Sequence, residues 1–146
     1  MAHEVLKAIH AQKRILHEVH HDLESFAWVF AYTFWRRSTT PPLIELLKKN
    51  GQDDARLMSA FRSIFGYTTT SELLVARSGA DPLELPPFHD ILIPGPLKKL
   101  FDELHEILYC HGSATRKFAN FTPLTYEMLL ASLRRAVTVL EEMAGR

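Results

Sequence analysis

The sequence lacks several features that would place the protein in a particular class. It has one cysteine in 146 residues, which excludes an intrachain disulfide and fits a reducing compartment. Lysine and arginine, 17 together, balance 17 aspartate and glutamate residues, so net charge favours neither nucleic acid nor an anionic membrane as partner. No signal segment opens the chain, and no apolar run reaches the roughly 20 residues of a membrane span. We therefore expect an intracellular protein, cytoplasmic or nuclear, with no membrane and no nucleic-acid partner.

The sequence also lacks the alternating pattern of polar and apolar residues that is typical of strands, and it has no internal repeat. Its apolar residues recur instead every three or four positions, which is typical of helices that bury one face. Residues such as proline and glycine separate these stretches. We therefore predict an all-α fold of six or so helices that forms a single domain over residues 1–146, a length that can bury a real core.

One predicted helix, over residues 22–37, differs from the others because it is apolar on nearly every side. Asp22 can serve as its N-cap, and Ser25 follows in the first turn. A helix of this kind must be wrapped by protein or lipid, and this one is too short to cross a bilayer. We predict a buried central helix around which the others pack. Its apolar residues are Phe26, Ala27, Trp28, Val29, Phe30, Ala31, Tyr32, Phe34 and Trp35.

Capping residues predict where several other helices begin and end. Asn50-Gly51 is suited to end a helix over residues 43–49. Asp53 or Asp54 can begin the next helix. The stretch Thr122–Thr125 is followed by a glutamate and then by apolar residues at helical spacing, and this pattern predicts the start of the last helix.

The start of the central helix resembles a part of fungal-type protein kinases. Residues 21–25 read His-Asp-Leu-Glu-Ser and continue into Phe-Ala-Trp-Val-Phe. In eukaryotic protein kinases an Asp-x-x-Ser opens the long helix at the centre of the C-terminal lobe. The opening Met-Ala-His-Glu-Val-Leu also resembles this family's form of the Ala-Pro-Glu motif, which closes the activation segment. The resemblance covers about the first quarter of the chain. It implies the helical C-lobe of the protein-kinase-like fold, beginning at the end of the activation segment.

The resemblance implies structural roles for three residues, Glu4, Asp22 and Ser25. In kinases the carboxylate at the position of Asp22 accepts bonds from backbone N–H groups of the catalytic loop. The glutamate at the position of Glu4 pairs with an arginine near the last helices, and both Arg116 and Arg134 are candidates for that partner. A solvated Glu4 is the alternative, because exposed ion pairs contribute little.

The groups that carry kinase chemistry are missing from this sequence. It contains no Gly-rich phosphate loop, no strand lysine of the kinase type, no catalytic-loop aspartate with its asparagine and no Asp-Phe-Gly. We therefore expect no catalytic, cofactor-binding or metal-binding residues of the kinase type, and ATP and Mg²⁺ only in a full-length relative. The chain is then expected to be a kinase fragment or pseudokinase remnant, produced by gene truncation or by a wrong start codon.

Two other interpretations remain open. Residues 17–21 form a His-Glu-x-x-His string, which is the zinc-binding motif of zinc hydrolases. In such an arrangement His17 and His21 would lie on one helix face and bind zinc, with Glu18 as general base. Glu45 is the plausible third ligand. Asp22 looks like a helix start, so we expect this string to precede a helix and not to lie within one. The second alternative is a helical interaction module, because a C-lobe alone leaves apolar surface uncovered for a protein partner or for self-association.

Overall fold

The computed structural model describes residues 3–16, 18–79, 83–84, 86, 89–111 and 124–145, and for residues 3, 77–79 and 111 the backbone alone. These residues form eight helices and no strands, which confirms the all-α prediction, with two helices more than expected. None of these helices is both long enough and apolar enough to cross a membrane. The helices are α1 (His3–His10), α2 (Val19–Ser38), α3 (Pro41–Lys49), α4 (Asp54–Phe65), α5 (Thr70–Gly79), α6 (His89–Leu92), α7 (Gly95–His111) and α8 (Tyr126–Ala144).

The predicted caps of α3, α4 and α8 are confirmed. Asn50 is the C-cap of α3, and Gly51 follows with φ of 70°, a left-handed conformation that glycine adopts without a steric penalty. The side chain of Asp53, not that of Asp54, caps α4 by accepting the N–H of Ala55 at 2.9 Å. Thr125 caps α8 and accepts a backbone N–H in the same way. Local side-chain chemistry thus sets these three boundaries.

Helix α2 begins earlier than predicted. Its N-cap is Glu18, in an extended conformation, and Asp22 lies one turn inside the helix. The reason is that His21 takes the part that a glutamate usually plays in a capping box. Its Nδ1 accepts the backbone N–H of Glu18 at 3.1 Å. The prediction that Asp22 caps this helix is therefore wrong, and the string at residues 18–21 runs into the helix.

The prediction that α2 is buried on every side is not confirmed, because the helix is buried along one face only. Leu23, Ala27, Ala31 and Trp35 belong to that face. On the opposite side Val29 is 60% exposed. The helix therefore has two distinct surfaces, a core face and an exposed apolar face.

The core forms where the second half of α2 meets its neighbours. The ring of Phe101 on α7 lies edge-on to Phe34, with 4.8 Å between ring centroids, and Tyr32 meets Phe65 of α4 at 5.3 Å. Helix α7 in turn packs along α8, while α1 packs against α5 and α2. The buried apolar cluster is made of Leu23, Trp28, Ala31, Trp35, Leu47, Leu57, Ile64, Leu83, Leu100, Phe101, Leu104, Leu124, Leu129 and Ala136.

Candidate functional site

Three side chains that can bind a proton or a metal meet where α1 crosses the start of α2. Glu4 comes from α1, and His20 and His21 come from the first turn of α2. The Oε2 atom of Glu4 lies 3.0 Å from Nε2 of His21 and 3.8 Å from Nε2 of His20. Both histidines are buried, whereas Glu4 is partly exposed. We call these three residues the junction cluster.

The hydrogen bonds of His21 fix the position of its proton. Nδ1 accepts the backbone N–H of Glu18, so this nitrogen carries a lone pair. The proton of the neutral ring is therefore on Nε2, which donates to the carboxylate of Glu4 at 3.0 Å. His21 thus links the N-cap of α2 to α1 through one ring.

His20 has a carboxylate near each of its ring nitrogens. Nδ1 lies 3.3 Å from Oε2 of Glu18, and Nε2 faces Glu4. The two imidazole rings are 4.2 Å apart between centroids and tilted by 51°. A ring in this position can donate to one carboxylate as a neutral group or to both as a cation. The junction cluster can therefore hold a proton or a cation between two acidic groups.

The exposed apolar face of α2 is on a different side of the helix from the buried histidines of the junction cluster. Val19, Asp22, Phe26 and Val29 follow one another at spacings of three and four, so they share one side of the helix. All four are exposed, including 44% of Phe26. We call these four residues the α2 surface. An apolar surface around a single carboxylate is suited to hold a polypeptide segment through side chains and backbone N–H groups.

Two residues with implied structural roles, Asp22 and Ser25, lie in the first two turns of α2. Asp22 belongs to the α2 surface, where its charge is favourable near the helix N-terminus. The hydroxyl of Ser25 donates to the carbonyl of His21 at 2.7 Å, one turn earlier in the same helix. Ser25 therefore bonds within the helix.

Of the two arginines considered as partners of Glu4, Arg116 lies outside the described residues. Arg134 lines a groove of about 560 Å³ between α7 and α8. In the same groove Arg135 pairs with Glu103, with 2.7 Å between Nη2 and Oε2, and this bond lowers the pKa of Glu103 below its usual value. The partners of Glu4 that the distances show are the two histidines.

The zinc-hydrolase string is not arranged as that motif requires. Helix α2 begins at Val19, so Glu18 caps the helix and does not lie on its face. His17 is outside the described residues. His21 and Glu18 form the capping contact of α2, so the described part of this string forms a helix start. No sequence pattern singles out His20 or predicts that it meets Glu4, since the two lie 16 positions apart and no local pattern brings them together.

A third buried histidine, His89 on α6, was also not predicted. Its ring lies 4.6 Å from that of Trp35 and 5.7 Å from that of Phe34, between centroids. Burial among these aromatic groups lowers the pKa of His89 to about 4, against small opposing effects of the Pro86 carbonyl and the charge of Asp90. His89 is therefore neutral at pH 7 and acts as part of the core.

Comparisons of the chain with protein-family models, with curated proteins and with solved structures gave no match. The function has to be inferred from the residues and their arrangement.

Proposed function

We propose that this chain is a helical lobe of the protein-kinase-like fold, of the fungal type, and that it works by holding another polypeptide segment. It does not transfer phosphoryl groups by itself. The observation that carries this proposal is the α2 surface, an exposed apolar strip that contains one carboxylate. The proposed occupant presents apolar side chains to Phe26 and Val29 and backbone N–H groups to Asp22.

The sequence supports the assignment to a kinase-like lobe through the order of residues along α2. The string at 21–25 is the one that resembles the fungal-type kinases, and the aromatic residues after it lead into the helical core. In kinases the carboxylate of this string accepts backbone N–H bonds from the catalytic loop. An exposed Asp22 beside Phe26 and Val29 agrees with a helix face that receives such a segment.

The position of the α2 surface supports binding as its role. The buried face of the same helix is anchored by Trp35, which is fully buried, and by its contacts with α4 and α6. Phe26 and Val29 are exposed one turn apart on a helix whose other face is buried, so they form a preorganised contact surface, which reduces the entropy lost on binding. Exposed apolar groups in one strip are typical of interaction sites, whereas scattered ones need no explanation.

The absence of phosphoryl transfer follows from the residues of the sequence. Catalysis of this reaction needs groups that position Mg²⁺ and the nucleotide and a base near the acceptor hydroxyl. The sequence contains none of the kinase motifs that supply them. A lobe of this kind therefore contributes structure and a docking surface to a complex.

Two experiments test the proposal, one for the α2 surface and one for the absence of phosphoryl transfer. Binding of the dye 1-anilinonaphthalene-8-sulfonate reports exposed apolar surface by its fluorescence. We expect the purified chain to bind the dye and Val29→Ser to lower the fluorescence. Val75→Ser is the matched control, because Val75 is 72% exposed and lies on another helix, α5. Equal effects of the two substitutions would contradict the proposed surface.

Incubation of the chain with Mg²⁺, radiolabelled ATP and a general protein substrate tests the second part. We expect no label transfer above that of the protein-free reaction. Transfer that scales with protein concentration would overturn the proposal that this lobe acts without catalysis. Far-ultraviolet circular dichroism of each variant confirms that the helices are retained, since both substituted valines are exposed.

A further inference from the structure

We propose that the junction cluster binds a zinc ion through Glu4, His20 and His21. This function is independent of the α2 surface, because the cluster lies on the buried side of the same helix turn. The donor set differs from the sequence string at residues 17–21, since it replaces His17 by His20 and takes its carboxylate from α1. Zinc would then join α1 to α2.

The distances between the ligand atoms fit a zinc site. Zn–N and Zn–O bonds of about 2.0–2.2 Å in a tetrahedron place neighbouring ligand atoms about 3.3–3.6 Å apart. The carboxylate oxygen of Glu4 lies 3.0 Å from one Nε2 and 3.8 Å from the other, so the two observed values bracket that range. The ligand atoms of all three residues lie within 4.8 Å of one another, so movements of the side chains alone would place them at three corners of the tetrahedron. The partly exposed Glu4 leaves the fourth corner to water.

The surroundings of His20 support a metal ligand. Histidines that bind a metal through one nitrogen usually donate the N–H of the other nitrogen to a carboxylate. Nδ1 of His20 lies 3.3 Å from Oε2 of Glu18, which leaves Nε2 to face Glu4 and the proposed ion. Glu18 therefore acts as a positioning residue for His20.

Zinc binding changes the hydrogen bonding of His21. Its Nε2 now carries the ring proton, and binding the ion moves that proton to Nδ1, where it meets the N–H of Glu18. The capping contact is then lost. Loss of one cap weakens a helix equilibrium by about fivefold. This cost is small beside the affinity of zinc for three protein ligands.

The chemistry of the donors selects the ion. Two imidazoles with one carboxylate are a ligand set that zinc prefers, as in zinc hydrolases that keep a fourth position for water. Magnesium and calcium prefer sites built from oxygen atoms alone. The cluster therefore discriminates between zinc and these abundant ions.

The test measures zinc binding to the purified chain directly. The chain is treated with chelator, and ZnCl₂ is then titrated in competition with a chromogenic zinc chelator. We expect one zinc per chain, and we expect Glu4→Gln and His20→Ala each to weaken the affinity by about tenfold or more. His10→Ala is the matched control on α1, where the side chain is exposed, and should bind as the wild type does.

Two further measurements keep the proposal falsifiable. Circular dichroism shows whether each variant folds, and Glu4→Gln preserves the size of the side chain if His20→Ala does not fold. Cobalt in place of zinc should give visible absorption bands that Glu4→Gln alters and His10→Ala does not. The proposal is overturned if the wild-type chain binds no zinc, if Glu4→Gln leaves the affinity unchanged, or if His17→Ala abolishes binding while His20→Ala does not.

Discussion

Buried histidines lie near both ends of α2, and they are similarly buried but have different neighbouring groups. His20 and His21, at the start of the helix, are 2% and 1% exposed, and His89, against its second half, is 1% exposed. The first two face the carboxylates of Glu4 and Glu18. His89 faces the ring of Trp35.

This difference shows that neighbours, and not burial, decide what a buried histidine can do. Removal from water disfavours the charged ring in either place. A carboxylate can accept an N–H of the ring or share a cation with it, whereas an aromatic core can do neither, and burial there lowers the pKa of His89. The junction cluster can therefore accept a cation, and the site of His89 cannot. One helix thus carries a chemically active end and an inert end.

The largest expected effect is that of Trp35→Ala, which leaves a cavity beside His89. Trp35 is fully buried and contacts both Phe65 and His89. We expect the free energy of unfolding to fall by about 3–5 kcal/mol, since the substitution removes a large apolar side chain and leaves a cavity. The pKa of His89 should also rise towards its ordinary value, because burial is the main cause of its shift. Urea denaturation and an NMR titration of the histidine measure the two effects.

Phe26→Ala is the control for Trp35→Ala, because it removes an aromatic ring from the exposed side of the same helix. We expect that variant to lose much less stability than Trp35→Ala does. A loss below about 1 kcal/mol for Trp35→Ala would mean that the core does not depend on this ring, and the contrast between the two ends would then have no structural basis.

The second effect is the pH dependence that His89 gives to stability. Its pKa is about 4 in the folded chain and 6.5 in the unfolded one. Between these values the unfolded chain binds a proton that the folded chain does not, so stability falls as the pH decreases from 6.5 and the loss is complete below pH 4. We expect a total contribution of about 3 kcal/mol, measured by urea denaturation at a series of pH values.

The variant His89→Leu isolates this contribution, since it keeps an apolar side chain of similar size. Between pH 6.5 and 4, the free energy of unfolding of His89→Leu should fall less steeply with decreasing pH than that of the wild type. The difference between the two slopes should reach up to about 1.4 kcal/mol per pH unit. Glu103, whose pKa is lowered by Arg135, loses its contribution below pH 4.5, so the upper part of this window is assigned to His89. Identical slopes for His89→Leu and the wild type would contradict the prediction, since they would mean that His89 binds a proton equally well in the folded and unfolded chain.

The sequence alone predicted the helical class and those boundaries that local chemistry sets. Asn50, Asp53 and Thr125 act within one turn of their own positions, and their types reveal their roles. The predicted N-cap of α2, Asp22, lies four residues after the actual one, Glu18, because Asp is a common N-cap while a histidine in a capping box is not. The apolar residues on nearly every side of α2 also suggested complete burial, since sequence shows how apolar a helix is but not how many neighbours surround it.

The candidate site depends on contacts between distant parts of the chain, which no local pattern reports. Glu4 and His20 are brought together by the way α1 crosses α2. His89 lies against Trp35 because α6 packs on that part of the core. A dense group of histidines near the N-terminus was the signal available in the sequence, and it indicated a polar region without indicating its geometry.

The smallest expected effect separates the two parts that Glu4 plays at the junction cluster. Measured with chelator present, Glu4→Ala should lower stability by about 2 kcal/mol, because the buried N–H of His21 loses its acceptor. Glu4→Gln should cost less, since its amide oxygen can still accept that N–H while the charge near His20 is lost. Amide exchange in α1 gives the local readout, as an eight-residue helix depends on its contacts for stability. If both variants lose equal stability, the charge of Glu4 that faces His20, and not the hydrogen bond to His21, holds α1 against α2. The contact between the two helices would then be electrostatic.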